Sequence, residues 1–209
     1  MRTICVGGAS SNCGKTSTVV LLAKAFPGWA AVKMTPCRPE AVCPHGNDCG
    51  ACIPPSGPYE IITDRRLLSA VGKDTAQYLD AGVSRVMWVR SLPELFPQAL
   101  DAALHELRDV PGVIIESATA ISYLDGLNIL VLREDSDKIK ESARRSIDRI
   151  DIVAVNIGAL TSFSMPKQID KLTALIGRPV RIVTMNAMLP PEASENIEFI
   201  EMCRKAFNP

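Results

Sequence analysis

Lys15 and Thr16 are the first residues on which chemistry can be built. They close the run Gly7-Gly8-Ala9-Ser10-Ser11-Asn12-Cys13-Gly14-Lys15-Thr16. Ahead of it, Thr3-Ile4-Cys5-Val6 reads as a strand. Behind it, Ser17 to Phe26 reads as a helix that stops at Pro27-Gly28. Strand, glycine-rich loop, Gly-Lys-Thr and helix are the context a phosphate-binding loop needs. Backbone N–H groups of such a loop and of the helix N-terminus face phosphate oxygens. The spacing therefore predicts nucleotide phosphates on Ser11, Asn12, Cys13, Gly14, Lys15, Thr16 and Ser17. Lys15 would reach the β- and γ-phosphates, and the Thr16 hydroxyl would ligate Mg²⁺. The first loop position holds Ala9 in place of glycine.

Two further residues fit the same chemistry. Trp29 to Met34 reads as a strand, which puts Lys33 near its carboxyl end, the edge where open α/β sheets bind ligands. Lys33 would be a second cation facing a γ-phosphate or a substrate. Val113-Ile114-Ile115-Glu116 is a continuous apolar run closing on an acid. That is the pattern of a buried parallel strand whose terminal carboxylate meets Mg²⁺ or its water. Glu116 is thus a second candidate for metal or water.

Cysteine makes a separate case. Cys37, Cys43, Cys49 and Cys52 crowd into sixteen residues as Cys-x5-Cys-x5-Cys-x2-Cys. Residues 35–59 also hold six prolines. No helix or long strand fits such a segment, and a loop of this length needs another source of order. Four thiolates on one metal would supply it, with His45 as a substitute ligand. Zn²⁺ suits the spacing. A [4Fe–4S] cluster is the alternative, since Cys49-Gly50-Ala51-Cys52 is similar to part of a ferredoxin motif.

Along the chain, strands alternate with helices throughout. Short apolar runs occur at 59–64, 83–89, 127–132, 151–155 and 180–183. Helical patterns occur at 65–71, 74–82, 93–107, 136–149, 166–176 and 192–207. Asp74 or Thr75 would cap the second of these helices. His105 reads as a surface or boundary residue, and Met202 and Cys203 read as packing. This alternation predicts an α/β fold, a mostly parallel, doubly wound sheet of about seven strands with helices on both faces. One domain over 1–209 would carry the cysteine-rich insertion. Asn156, Asn186, Leu189 and Pro190 follow late strands on the ligand-binding edge, where they would hold the base. Asn156-Ile157-Gly158-Ala159 lacks the Lys and Asp of a guanine signature, so ATP and GTP both stay open.

The chain has 209 residues, a formal charge of zero and no long like-charged run. This argues against a dedicated nucleic-acid surface or an anionic-membrane surface. No apolar run is long enough to span a bilayer, and the phosphate loop begins where a signal peptide would sit. A cytoplasmic protein is expected.

The phosphate loop, Ala31-Val32-Lys33, and Gly72-Lys73-Asp74-Thr75 running into Tyr78 and Ala81-Gly82-Val83 together resemble the MobB-type proteins of molybdopterin-guanine dinucleotide biosynthesis. Val113 to Glu116 resembles a later strand of that family. The resemblance covers about the first 135 residues and is interrupted by the cysteine insertion. It implies a P-loop NTPase fold of the wider class that includes dethiobiotin synthetase and nitrogenase iron protein. It also implies binding of ATP or GTP with Mg²⁺, a role in metallocofactor assembly with a protein partner, and a homodimer. Two rival functions go with it. One is a small-molecule kinase or ligase in which Lys33 and Lys73 bind the acceptor. The other is a non-catalytic adaptor switched by nucleotide.

Overall fold

A computed structural model describes residues 1–37, 55–133, 139–158 and 168–207. Its centre is β1 (Arg2–Gly8), followed by the phosphate loop and α1 (Lys15–Ala25). β2 (Ala30–Pro36) leads to the insertion, and β3 (Tyr59–Ile62) returns from it. Then come α2 (Arg65–Leu68), α3 (Asp74–Asp80), β4 (Val86–Ser91) and α4 (Phe96–Glu106). β5 (Gly112–Glu116), β6 (Leu127–Arg133), α5 (Glu141–Arg144) and β7 (Ile152–Asn156) follow. α6 (Gln168–Ile176), β8 (Arg181–Met185) and α7 (Ser194–Lys205) close the chain.

Among the described residues the sheet has eight strands, in the order β3-β4-β2-β5-β1-β6-β7-β8. All neighbours are parallel except β3 and β4, which are antiparallel. The expected count of about seven is thus one short. β3, the short run at the start of 59–64, is the edge strand that lies against β4.

Alternation assigns the two faces. Ile4, Val6, Ala31, Ile114, Ile129 and Val131 pack with Val19 and Leu22 of α1, Tyr78 of α3 and Phe199 of α7. Cys5, Val32, Met34, Ile115, Leu130 and Val153 pack with Phe96 and Leu100 of α4 and Leu172 of α6. Helices therefore cover both faces, as the period-two pattern of buried parallel strands requires. Parity then places Lys33 and Glu116 on the face of α1 and α3. They are register partners across β2 and β5, and Glu116 is also paired with Val6 of β1.

Three expectations change. The helix expected over 65–71 ends at Leu68, whose carbonyl, left without a partner further along the helix, accepts from Thr75 Oγ1 at 2.7 Å. The helix expected over 136–149 is only α5 plus a short 3₁₀ turn at Ile147–Arg149 among the described residues. Ser146 Oγ lies against the carbonyls of Ser142 and Ala143, a back-bond that competes with helix continuation. The cap of α3 is also different. Lys73 occupies that position without a side-chain capping bond, and Asp74 turns into the sheet edge.

His105 is exposed and Cys203 is fully buried, as read from the sequence. Among the described residues no helix is long and apolar enough to cross a membrane.

Candidate functional site

The phosphate loop is shaped by two glycines. Gly14 precedes α1 at φ 93°, a left-handed conformation, and a Cβ there would lie 2.2 Å from Asn156 Nδ2. A Cβ on Gly8 would lie 2.7 Å from Lys15 Cδ, so this glycine lets the lysine stem fold over the end of β1. α1 begins without a side-chain cap, and its first loop-closing bond runs from Thr18 N–H to the Gly14 carbonyl. The N–H groups of its first turn therefore have no intrahelical acceptor and are available to an anion. At the start of the loop, Ala9 N–H donates to Val131 O at 3.0 Å, and Lys140 N–H donates to Ala9 O at 2.7 Å.

A cleft of about 910 Å³ opens over this loop. Ser11, Asn12, Gly14, Lys15, Thr16, Ser17, Lys33 and Glu116 all line it. So do Lys73, Asp74, Gln77 and Lys140. Cys13 lies buried beneath the loop rather than in the cleft.

At its floor four side chains form a ring. Lys33 Nζ sits 2.5 Å from Glu116 Oε1 and 2.6 Å from Asp74 Oδ2. Thr16 Oγ1 stands 3.0 Å from Glu116 Oε2 and 3.0 Å from Asp74 Oδ1. The Tyr78 phenol donates to Glu116 Oε2 from behind. Asp74 and Tyr78 are four residues apart on α3, hence on one helix face, which is why both reach the ends of β2 and β5.

Charge explains the protonation of the ring. Burial opposes the Lys33 ammonium, yet Glu116 and Asp74 outweigh it and hold its pKa above the ordinary lysine value. Burial also pushes the Asp74 carboxyl up. Lys33, the Thr16 hydroxyl and Lys15 outweigh it, so Asp74 stays below the usual carboxylate range. Burial, then the charge of Glu116, raises the Tyr78 phenol well above its ordinary value. Lys140 is lowered by burial and by its two cationic neighbours, Lys15 and Lys33.

One hydroxyl and two carboxylates converging this closely are hard oxygen donors, the set that suits Mg²⁺. Asp74 is 37 % exposed against 1 % for Glu116, so Asp74 is the acid that reaches the open cleft.

The base-binding candidates stand on the neighbouring wall and do not line this cleft. Asn156 Nδ2 donates to the Cys13 carbonyl at 3.3 Å, and its Oδ1 accepts from Ala187 N–H at 3.1 Å. Asn156 thus braces the phosphate loop against the segment after β8. Asn186 Nδ2 donates to Gly158 O. The buried Asn196 holds that segment: its Nδ2 donates to the carbonyls of Pro190 and Asn186 at 2.9 and 3.0 Å and shares a proton with the Leu189 carbonyl at 3.3 Å, and its Oδ1 accepts from Asn186 N–H.

Of the four candidate metal-binding cysteines, only Cys37 lies among the described residues. It is buried beside β2, with its N–H on Ser91 O at 2.7 Å. Cys43, Cys49, Cys52 and His45 fall outside them. Among the described residues no group of three or more His, Cys, Asp or Glu is placed to hold a metal.

Lys140 and Asn196 carry no motif of their own, and Asp74 and Tyr78 carry none beyond the resemblance of the stretch from Gly72 to Val83. The helical spacing of Asp74 and Tyr78 is the one signal that could have marked a shared role.

No protein-family model matches the chain, and no curated protein matches it. Among solved structures, a ParA family ATPase from Chlorobium tepidum TLS aligns with a TM-score of 0.44 at 12 % identity, over 97 % of this chain and 98 % of that one.

Proposed function

We propose that this chain binds a purine nucleoside triphosphate, ATP or GTP, with Mg²⁺ and hydrolyses it. The observation that carries the reading is the convergence of an uncapped helix N-terminus, Lys15, Thr16, Asp74, Glu116 and Lys33 on one cleft at the carboxyl edge of a parallel sheet. The loop N–H groups and Lys15 bind the phosphates. Thr16 and Asp74 supply oxygen donors to Mg²⁺, directly or through its water. Glu116, held by Tyr78, fixes Thr16 in place and is a further oxygen donor for Mg²⁺ or its water once Lys33 turns from it to the phosphates. When bound, Mg²⁺ neutralises charge on the phosphoryl group. The segment after β8, held by Asn196, forms the wall against which the base packs.

The test is Mg²⁺-dependent release of phosphate from ATP and GTP by the purified chain. Lys15→Ala should lose turnover by at least about 100-fold, the size expected when a principal transition-state charge contact is removed. Unchanged turnover would overturn the reading.

Service in metallocofactor assembly, with a protein partner and a homodimer, extends this proposal and is supported by the MobB-like segments alone. The four-cysteine centre, as Zn²⁺ or [4Fe–4S], belongs to the same extension. Its test is metal and sulfide analysis of anaerobically purified protein. Bound zinc would support the first form and iron with sulfide the second, and neither would remove the centre from the proposal.

Phosphoryl transfer to a small acceptor is favoured by one observation. The cleft continues past Lys33 to Thr35, Lys73 and Gln77, with the Lys73 ammonium 5.2 Å from the Trp88 ring centroid. Triphosphate consumption that appears only with a metabolite pool would select this reading over hydrolysis.

A further inference from the structure

We propose that Lys33 holds the place of a divalent cation in the nucleotide-free site, so that the site excludes free Mg²⁺ and admits it only together with a polyphosphate. The inference rests on the reading of the cleft as a Mg²⁺–triphosphate site.

Each acid in the ring gives one oxygen to the Lys33 ammonium and turns the other to Thr16. Thr16 carries one hydroxyl proton and can donate to only one of them at a time. A monovalent ammonium thus occupies the donor set that suits a hard divalent ion. The local charge is decisive. Asp74 and Glu116 with Lys33 sum to −1 and without it to −2; Lys15, whose charge also reaches Asp74, makes both sums more positive by one and leaves the difference unchanged. Free Mg²⁺ sheds water reluctantly and binds through one or two carboxylates with its remaining positions on water or phosphate. To use these acids it must displace an ammonium that would be left half-buried without a counter-charge. Such a loss is costly, because an uncompensated charge in a poorly solvated site is strongly destabilising.

A polyphosphate changes that balance. Its oxygens give Lys33 a new partner as the ammonium leaves the acids. The side chain is 22 % exposed on the cleft side, and Lys15 marks where the phosphates would lie. Only side-chain rotation is needed, since β2 is fixed between β4 and β5. Lys33 is therefore a specificity-determining residue as well as a phosphate-facing cation.

The probe is Mn²⁺, followed by electron paramagnetic resonance at pH 8 without nucleotide. Wild-type protein should bind free Mn²⁺ weakly and bind it at least 10-fold tighter once a non-hydrolysable triphosphate analogue is present. Lys33→Met keeps the stem and removes the charge. It should bind free Mn²⁺ at least 10-fold more tightly than wild type, while its affinity for the Mn²⁺–analogue complex falls. Lys33→Arg keeps the charge and should exclude free Mn²⁺ as wild type does. The opposite signs in Lys33→Met are what a merely structural lysine would not produce.

Lys33→Met binding free Mn²⁺ no tighter than wild type overturns the inference. If that variant does not fold, Lys33→Gln takes its place, and free Mn²⁺ bound by Lys33→Gln no tighter than by wild type overturns the inference. A wild-type protein that binds no analogue at all sinks the triphosphatase reading instead. That outcome is told apart by the nucleotide-free titration, which does not involve the analogue.

Discussion

Replacing Gly14 by alanine should destabilise the chain by about 3 kcal/mol, and most of that loss above the backbone contribution should vanish when Asn156 is also removed. The backbone at Gly14 has φ 93°. An L-residue there costs about 1–2 kcal/mol. The new Cβ would lie 2.2 Å from Asn156 Nδ2, so the amide must move. Moving it forfeits bonds to the Cys13 carbonyl and the Ala187 N–H, at about 1 kcal/mol each. In an Asn156→Ala background the steric part is gone, because the Asn156 Cβ is 3.9 Å from where the alanine methyl would stand, an ordinary contact. Only the φ penalty of about 1–2 kcal/mol then remains. A double-mutant cycle should therefore show a coupling of about 1–2 kcal/mol. Urea unfolding measures it, provided the m-value stays constant across the four proteins. Equal losses from Gly14→Ala in both backgrounds would refute the argument that Asn156 braces the phosphate loop through this contact.

Alkaline pH should destabilise the protein, in part through two buried thiols. Burial pushes both Cys5 and Cys203 above the ordinary thiol value. Their contribution is full below the unfolded-state value of about 8.5 and is lost as pH rises above it, amounting to about 2 kcal/mol each at pH 10. Cys203→Ala should flatten the loss of stability between about pH 8.5 and 10 in denaturant titrations, and an unchanged slope would count against it. Tyr78→Phe removes a buried phenol donor to Glu116 and should cost about 2 kcal/mol in thermal unfolding. Asn196→Ala frees three carbonyls and an N–H of the segment after β8. It should weaken calorimetric binding of nucleotide while leaving inorganic tripolyphosphate binding unchanged.

The sequence alone is enough to find the ends of the strands, because the signals there are local. An apolar run closing on Glu116, another carrying Lys33, and a glycine-rich loop after β1 each announce themselves within a few residues. Their meeting is then forced by parity and register, which pair Lys33 with Glu116 on the face of α1. Asn156 likewise stands at its strand end as read, although its amide turns to Cys13 and Ala187 rather than into the cleft. Asp74 shows where local reading fails. An acid at a helix start is a normal cap, and apart from its four-residue spacing to Tyr78 nothing within α3 distinguishes that use from an ion pair with a strand far away in the chain.

The physical competition explains the outcome. A helix end near solvent can take water in place of a side-chain cap. A half-buried ammonium beside Glu116 has no such substitute, since leaving either charge unpaired in a poorly solvated site costs several kcal/mol. Asp74 therefore goes where the uncompensated charge is worse, and Lys73 is left in the cap position with no side-chain capping bond. Tyr78 follows from the same geometry. One turn further along the helix, fully buried, its phenol needs an acceptor, and the oxygen of Glu116 on that side is the one within reach. The ring at the floor of the cleft is thus the result of a buried carboxylate and a half-buried ammonium on adjacent strands recruiting the nearest helix, and α3 is oriented by that demand as much as by its apolar face.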